Sequence, residues 1–269
     1  HALISGIWRG DSFGDIMKNT AIAGLSSAAS FEAKRLIGGG ADYNSDYNSL
    51  NINPLRTLGG RLLGDVSSSI TGNAIGNRDP FSFIQLGIGP ALINYDEGSL
   101  NVDMGLAETV MFGSFLGQSI SSGGSLDVRA SLVTLSPVFV FERDYGGGMN
   151  LAGTISINRG ANQGTLSHEL IHSVQFSQNR NYARGAYFGG RASTRDPTNL
   201  LGLGLNVPGD ISSTFGTAQI FRGSLAGYLS ENSGNTLMND PWDFYYNDHS
   251  WWERQAYEMT GQEGRGDSY

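Results

Sequence analysis

Cysteine is missing from all 269 residues of the chain. Disulfide bonds, thiolate zinc ligands and thiol nucleophiles are therefore excluded, which leaves histidine, aspartate and glutamate as the metal-binding side chains. Charge is also sparse, since charged residues make up 16% of the sequence and 25 acids outnumber 17 bases. The broad positive field that attracts phosphate backbones is absent, so we expect no nucleic-acid partner.

Long hydrophobic runs are missing too. No apolar stretch approaches the roughly 20 residues that a membrane-spanning helix needs, so we expect no transmembrane segment. No basic and apolar leader opens the chain, and we expect any export signal to lie outside it. Apolar residues still make up 39% of the sequence, and there are 39 glycines. This composition is typical of a globular protein with a buried core and many tight turns.

The first half of the chain combines a helical start with a β-rich middle. Residues 2–37 show a helical pattern that is rich in small side chains. Residues 51–78 are punctuated by glycine, asparagine and serine, and Asn73, Gly76 and Asn77 are the predicted turn positions. Three apolar runs, at residues 83–86, 91–95 and 133–141, predict strands.

The second half contains the two helices that matter most for function. The strand predicted for Thr154–Asn158 leads through a short loop into a helix from His168 to Gln178, and residues 250–260 predict a second helix. These patterns favour an α+β fold with a zincin-like active-site helix next to a β-sheet edge strand. We expect residues 1–150 to form a helical and β-rich supporting region, and residues 151–269 a catalytic region, within one compact unit.

The segment His168-Glu169-Leu170-Ile171-His172 carries the clearest chemistry in the sequence. Histidines four residues apart on a helix project from one face, so both imidazoles can reach a single ion. Glu169 comes out beside them, where a carboxylate can take a proton from a metal-bound water. This is the H-E-x-x-H arrangement. The alternatives are a surface helix that carries two histidines by chance, or a structural metal closed by a fourth protein ligand.

A third protein ligand has to come from farther along the chain. The metzincin pattern requires glycine three residues and histidine six residues after the second histidine, whereas Gln175 and Gln178 occupy those positions, so it is excluded. The candidates are Glu231, His249, Glu253 and Glu258. Glu253 is favoured because Ala256, on the same helical face, is small enough to let its helix approach the motif helix. Glu258 lies about 140° around from Glu253, so both cannot face the metal.

These two helices resemble those of gluzincin metallopeptidases. Ser167 to Gln175 runs S-H-E-L-I-H-S-V-Q, and Trp252 to Tyr257 runs W-E-R-Q-A-Y. This is similar to the gluzincin pairing of an H-E-L-x-H-x-x-Q helix with an E-x-x-A-(D/Y) helix. The resemblance implies a Zn²⁺ ion bound by three ligands: His168, His172 and Glu253. It also implies that Tyr257 supports a ligand from outside.

The resulting expectation is a zinc metallopeptidase that acts on a protein or peptide substrate. Zinc polarises water and the scissile carbonyl, while Glu169 takes the proton and later passes it to the leaving amine. His249 and Tyr257 are the candidate donors to the oxyanion. We expect Thr154–Asn158 to border the cleft as an edge strand and to pair with an extended substrate.

The first half of the chain suggests a setting for this activity. Ser5–Phe13 and Gly59–Asp65 are similar to segments near the C-termini of bacterial RHS-type polymorphic toxins. This resemblance implies a secreted toxin delivered into a target cell, with an immunity or carrier protein as a further partner. Two other classes stay open: a non-catalytic binding or scaffold module with a structural or vestigial metal site, and a hydrolase that acts on another kind of bond.

Overall fold

The N-terminal part of the molecule is helical. The computed structural model describes residues 1–142, 147–190 and 251–261, and the backbone of residues 209 and 210. Helix α1 (Ala2–Arg9) ends at Gly10, which adopts a left-handed φ of 74°. Helix α2 (Phe13–Gly38) begins after Ser12, whose hydroxyl accepts a hydrogen bond from the backbone N–H of Asp15. The predicted N-terminal helical pattern is thus confirmed, with one break.

Helix α3 (Pro54–Ile75) occupies most of residues 51–78, so the turn position predicted at Asn73 was wrong, whereas Gly76 and Asn77 form the turn that follows the helix. Glycine, serine and asparagine often mark turns, but here they lie on the buried faces that pack against neighbouring helices. A Cβ on Gly60 would lie 2.5 Å from a side-chain carbon of α2, and one on Gly64 would lie 2.7 Å from Val174 Cγ1. Small residues in α3 therefore allow close helix packing.

A first sheet covers part of α3. Its three consecutive antiparallel strands are β1 (Phe83–Ile88), β2 (Ala91–Asp96) and β3 (Ser99–Gly105). The strands predicted for residues 83–86 and 91–95 are confirmed. The buried carboxylate of Asp65 on α3 accepts a hydrogen bond from the backbone N–H of Gly87, 2.9 Å away, and so ties β1 to the helix. Helix α4 (Leu106–Ser122) follows β3 directly.

A second sheet lies beside the motif. Its strands are β4 (Ser125–Leu126), β5 (Val138–Phe141), β6 (Gly148–Leu151) and β7 (Thr154–Asn158), in the spatial order β4-β5-β7-β6. Helix α5 (Val128–Thr134) joins β4 to β5. The strand predicted for residues 133–141 begins only at Val138, because Val133 and Thr134 form the last turn of α5.

The motif helix α6 (Gln163–Phe188) packs on one face of the second sheet. Apolar side chains of β7 and α6 meet there in the main core: Ile155, Ile157, Leu166, Leu170 and Ile171. Phenylalanines of β5 pack against α4 in another cluster: Phe115, Phe139 and Phe141. A two-residue strand, β8 (Gly209–Asp210), adds in parallel to β3. The predicted final helix is α7 (Trp251–Thr260), and Gly261 follows it with a left-handed φ of 73°.

The described elements form an α+β fold. The expected division between residues 150 and 151 falls inside β6, and the main core draws Ile37 and Val138 from one side and Leu170 and Ala256 from the other. The supporting and catalytic regions therefore share a sheet and a core. Among the described helices, none combines the length and apolar character needed to cross a membrane.

Candidate metal centre

Helix α6 presents the motif on a buried face. Its N-terminus is capped by Asn162, whose side-chain oxygen accepts hydrogen bonds from the backbone N–H and the hydroxyl of Thr165. His168 and His172 lie one turn apart and are only 7% and 2% exposed. This burial excludes the alternative of a surface helix that carries two histidines by chance.

Three side chains bring ligand atoms together next to this helix. His168 Nε2 lies 2.9 Å from Glu253 Oε2, His172 Nε2 lies 3.3 Å from Glu253 Oε1, and the two Nε2 atoms are 3.2 Å apart. The carboxylate comes from α7, 85 residues beyond His168 in sequence. The described part of the chain thus contains a buried group of two imidazoles and one carboxylate that could hold a metal ion.

The geometry of α7 explains why Glu253 is the carboxylate at this point. Glu253 and Ala256 are buried, and the small side chain of Ala256 belongs to the main core shared with α6. Glu258 is exposed, as expected from its position around the helix. The other two candidate ligands, Glu231 and His249, lie outside the described residues, and so does the predicted role of His249 as an oxyanion donor.

Two neighbours hold the imidazole of His172 in place. Its Nδ1 lies 2.7 Å from Gln175 Oε1, and the indole of Trp252 stacks on its ring with centroids 5.0 Å apart and 5° between the planes. The Gln175 amide also donates to the backbone carbonyl of Trp252 at 3.1 Å. In the sequence analysis, Gln175 helped to exclude metzincins and completed the H-E-L-x-H-x-x-Q pattern, but it received no role at the site. Its position three residues after a histidine ligand, on the same helical face, is the signal for this supporting role.

His168 is packed rather than hydrogen-bonded on its outer side. Its Nδ1 is buried and has no hydrogen-bond partner among the described residues. Tyr257 lies against the imidazole with ring centroids 4.6 Å apart and 49° between the planes. The structure thus places the ring of Tyr257 against His168, on the side where the resemblance implies support for a ligand.

Glu169 is enclosed between the motif helix and β6. A Cβ on Gly148 would lie 3.0 Å from Glu169 Cγ, and the side-chain amide of Asn150 donates to the backbone carbonyl of Glu169. Burial raises the pKa of the Glu169 carboxyl to about 8, the positive charge of His168 opposes this rise, and the negative charge of Glu253 adds to it. The carboxyl group is thus within electrostatic reach of two residues of the metal-binding group.

The carboxyl group of Glu253 behaves in the opposite way. Burial favours its neutral form, but the adjacent imidazoles of His172 and His168 outweigh burial and lower the pKa of Glu253 to about 2. Glu253 therefore provides a carboxylate, the form that binds a cation.

The edge strand beside the motif is β6 and not β7. Strand β7 pairs with β5 on one side and β6 on the other, so the prediction that Thr154–Asn158 forms the edge and pairs with substrate was wrong. All five of its residues are buried. An alternating pattern shows that a segment is extended, but it does not show which strands lie beside it. Among the described strands of this sheet, β6 holds the edge position next to α6.

The fold and the site together define an α+β protein with a buried His, His, Glu group suited to a metal ion. No protein-family model, curated protein or solved structure matches the chain. The chemistry of the site therefore carries the functional proposal.

Proposed function

We propose that the protein is a zinc-dependent peptidase. The observation that carries the proposal is the spacing of the ligand atoms: the two Nε2 atoms are 3.2 Å apart, and those of His168 and His172 lie 2.9 and 3.3 Å from different oxygens of the Glu253 carboxylate. Ligand atoms about 2.0 to 2.1 Å from a tetrahedral zinc ion lie about 3.3 Å from one another, so these donors already have nearly the required separation. Two imidazoles and a carboxylate also form a known ligand set of catalytic zinc sites.

The number of ligands favours a catalytic site over a structural one. Structural zinc is usually closed by four protein ligands, whereas catalytic zinc keeps one position open for water or substrate. Within the described residues, the buried group consists of three side chains. Glu169, which a structural site does not need, lies beside them in the sequence position of a general base.

The proposed chemistry divides between the ion and the chain. A bound zinc ion would act as a Lewis acid, polarising a carbonyl group and lowering the pKa of water. Glu169 takes a proton from the attacking water and returns it to the leaving amine, while β6 holds its helical turn in place through Gly148 and Asn150. Tyr257, beside His168, remains a candidate donor to the oxyanion, together with His249.

The outer edge of β6 supports a peptide as the substrate. The backbone N–H of Asn158 donates to the carbonyl of Gly147, and the register continues with Met149 opposite Ser156. Bonded and non-bonded pairs alternate along antiparallel strands, so the N–H and C=O groups of Gly148 and Asn150 point away from β7. We propose that these groups hold the backbone of an extended substrate beside Glu169.

A peptide-library digest tests the proposed activity. We expect the zinc-loaded wild type to cleave peptides, a chelator to stop cleavage and added zinc to restore it. Glu169→Gln should keep the fold and the zinc but lose about 10² to 10⁴ in rate, as for other general bases. Glu258→Gln, a change at the exposed glutamate of α7, is the matched control and should leave the rate unchanged. Undiminished cleavage by Glu169→Gln would contradict the mechanism, and chelator-insensitive binding without cleavage would favour a binding module.

We further propose, on the resemblance of Ser5–Phe13 and Gly59–Asp65, that the peptidase is a toxin delivered into another cell. Expression inside a bacterial host tests this role. We expect the wild type to arrest growth and Glu169→Gln, produced at the same level, to be harmless. Equal growth with both proteins would contradict the toxin proposal in that host and leave the peptidase proposal standing.

A further inference from the structure

A continuous row of polar side chains connects α2 to the metal-binding group. Lys34 Nζ donates to Gln255 Oε1 at 2.7 Å, and Gln175 Nε2 donates to the same oxygen at 2.9 Å. Gln175 Oε1 then lies 2.7 Å from His172 Nδ1. Lys34, Gln175 and His172 are buried, so water competes little for these bonds.

Two groups fix the direction of the bonds in the row: the Lys34 ammonium group at its far end and the backbone carbonyl of Trp252 beside Gln175. Lys34 offers donors only, so Gln255 must turn its oxygen towards it. That oxygen can only accept, so Gln175 must present its NH₂ group, whose other proton goes to the backbone carbonyl of Trp252. Gln175 is thereby left with its own oxygen facing His172. The opposite orientation of Gln175 would place its oxygen against two other acceptors.

We infer that Lys34, acting together with the Trp252 backbone carbonyl, sets the tautomer of His172 through Gln255 and Gln175. Because Gln175 offers an acceptor, His172 carries its proton on Nδ1, and Nε2 keeps a lone pair that faces Glu253 and His168. A neutral histidine binds a metal through such an unprotonated nitrogen. Lys34, Gln255 and Gln175 are therefore positioning residues for the metal ligand His172. This inference rests on the proposed metal site.

The other histidine lacks this support. Within the part of the chain that the structure describes, His168 Nδ1 is buried without a hydrogen-bond partner. Its Nε2 lies 2.9 Å from the Glu253 carboxylate, which can accept a hydrogen bond from it. The two facing Nε2 atoms, 3.2 Å apart, cannot both carry protons without repulsion. The two histidines therefore differ. Nε2 of His172 is already free of a proton and can bind the metal, whereas Nε2 of His168 has to lose its proton when the metal binds.

Side-chain ¹⁵N NMR of the zinc-free protein at neutral pH locates the ring proton directly. We expect the wild type to carry it on Nδ1 of His172, and Lys34→Met and Gln175→Leu to populate the Nε2 tautomer. Lys34→Arg keeps a donor-only side chain and should retain the Nδ1 form. Gln178→Met is the matched control, because it removes the other Lys34 contact, 3.0 Å from Nζ to Gln178 Oε1, and leaves the row intact.

Zinc affinity, measured by competition with a chromophoric chelator, provides the second readout. Loss of the outer hydrogen-bond partner of a histidine ligand commonly weakens binding about 10- to 100-fold. We expect about 100-fold for Gln175→Leu, about 10-fold for Lys34→Met and for Gln255→Leu, and less than about 2-fold for Lys34→Arg and Gln178→Met. Gln255→Leu breaks the row from α7 and replaces Lys34→Met if that variant does not fold.

Two results would overturn the inference. One is a wild-type His172 protonated on Nε2, and the other is an unchanged tautomer and affinity in whichever of Lys34→Met and Gln255→Leu folds. A wild type that carries the Nδ1 proton but binds no zinc would instead contradict the proposed function alone, because the tautomer is measured without metal.

Discussion

At the residue scale, the hydrogen bonds and close contacts of each side chain determine which of its atoms face the metal site. His172 uses Nδ1 to bond Gln175, and both oxygens of Glu253 face the histidines. The Nε2 atoms of His168 and His172 are thereby directed at the same carboxylate. Removing one member of the group therefore changes the protonation and orientation of the other two, so single substitutions here should not be additive.

The buried ammonium of Lys34 makes stability depend on pH. Burial lowers the pKa of Lys34 to about 8, from an ordinary value of 10.5. Between these values the unfolded chain binds more protons than the folded one, so the free energy of unfolding rises with pH across that window. We expect the wild type to gain about 3 kcal/mol relative to Lys34→Met between pH 8 and pH 10.5.

Urea unfolding of both proteins at several pH values in this window measures that difference. The comparison cancels the titration of groups that the two proteins share, and the hydrogen-bond partners of Lys34 are neutral amides. Parallel pH profiles for wild type and Lys34→Met would show that Lys34 titrates normally in the folded protein, contrary to this account.

Side chains within one helical turn were predictable from their spacing, and Glu253 from the pattern of its helix, but the other partners distant in sequence were not. His168, Glu169 and His172 follow from a spacing that any helix enforces. Lys34 and Gln255 are 221 residues apart, and only the packing of α2, α6 and α7 brings them together. Tyr257 was placed on the correct side of α7, but whether it donates a hydrogen bond or packs its ring depends on angstrom-scale positions that spacing does not supply.

At the scale of elements, glycines of α3 allow α6 to pack closely against it. A Cβ on Gly64 would lie 2.7 Å from Val174 Cγ1, whereas a Cβ on Gly59 in the same helix would meet Leu36 Cδ2 at an ordinary 3.8 Å. We expect Gly64→Ala to cost about 1–3 kcal/mol through overpacking. Gly59→Ala should be neutral or stabilise by up to about 1 kcal/mol, because alanine favours helix.

Thermal and urea unfolding of Gly64→Ala and Gly59→Ala measures the change in stability of each variant. The zinc affinity of Gly64→Ala should also fall, because Val174 lies on the helix that carries both histidines. Equal stability of the two variants would show that α3 and α6 do not pack as closely as described.

Sequence patterns led to wrong predictions for two whole elements, α3 and β7. Helix α3 was missed because glycine, serine and asparagine are common both in turns and at close helix contacts, and composition does not distinguish the two uses. Strand β7 was found but given the wrong place in the sheet. Its neighbours β5 and β6 are short, and pairing between strands is a long-range property that alternation within one strand does not encode.

At the scale of the whole molecule, buried ionic contacts connect α6 to the first sheet and to α4. Arg180 Nε donates to Gln85 Oε1 at 2.6 Å, and Nη1 donates to Glu108 Oε1 at 2.8 Å, with both charged side chains 5% exposed. We expect Arg180→Met to cost about 3–5 kcal/mol, because Glu108 stays buried without its partner. The double variant with Glu108→Leu should recover much of that loss. Denaturant unfolding tests both, and a double variant no more stable than Arg180→Met would contradict the explanation.

We propose that His168, His172 and Glu253 together hold a zinc ion, at a site that brings together two residues 85 positions apart in the chain, His168 and Glu253. The most direct test is the amount of zinc per chain, determined by elemental analysis after equilibration with zinc and gel filtration. The account predicts close to one zinc per chain in the wild type and in Glu258→Ala, and a large loss in Glu253→Ala. Full zinc in Glu253→Ala, or no zinc in the wild type, would contradict it.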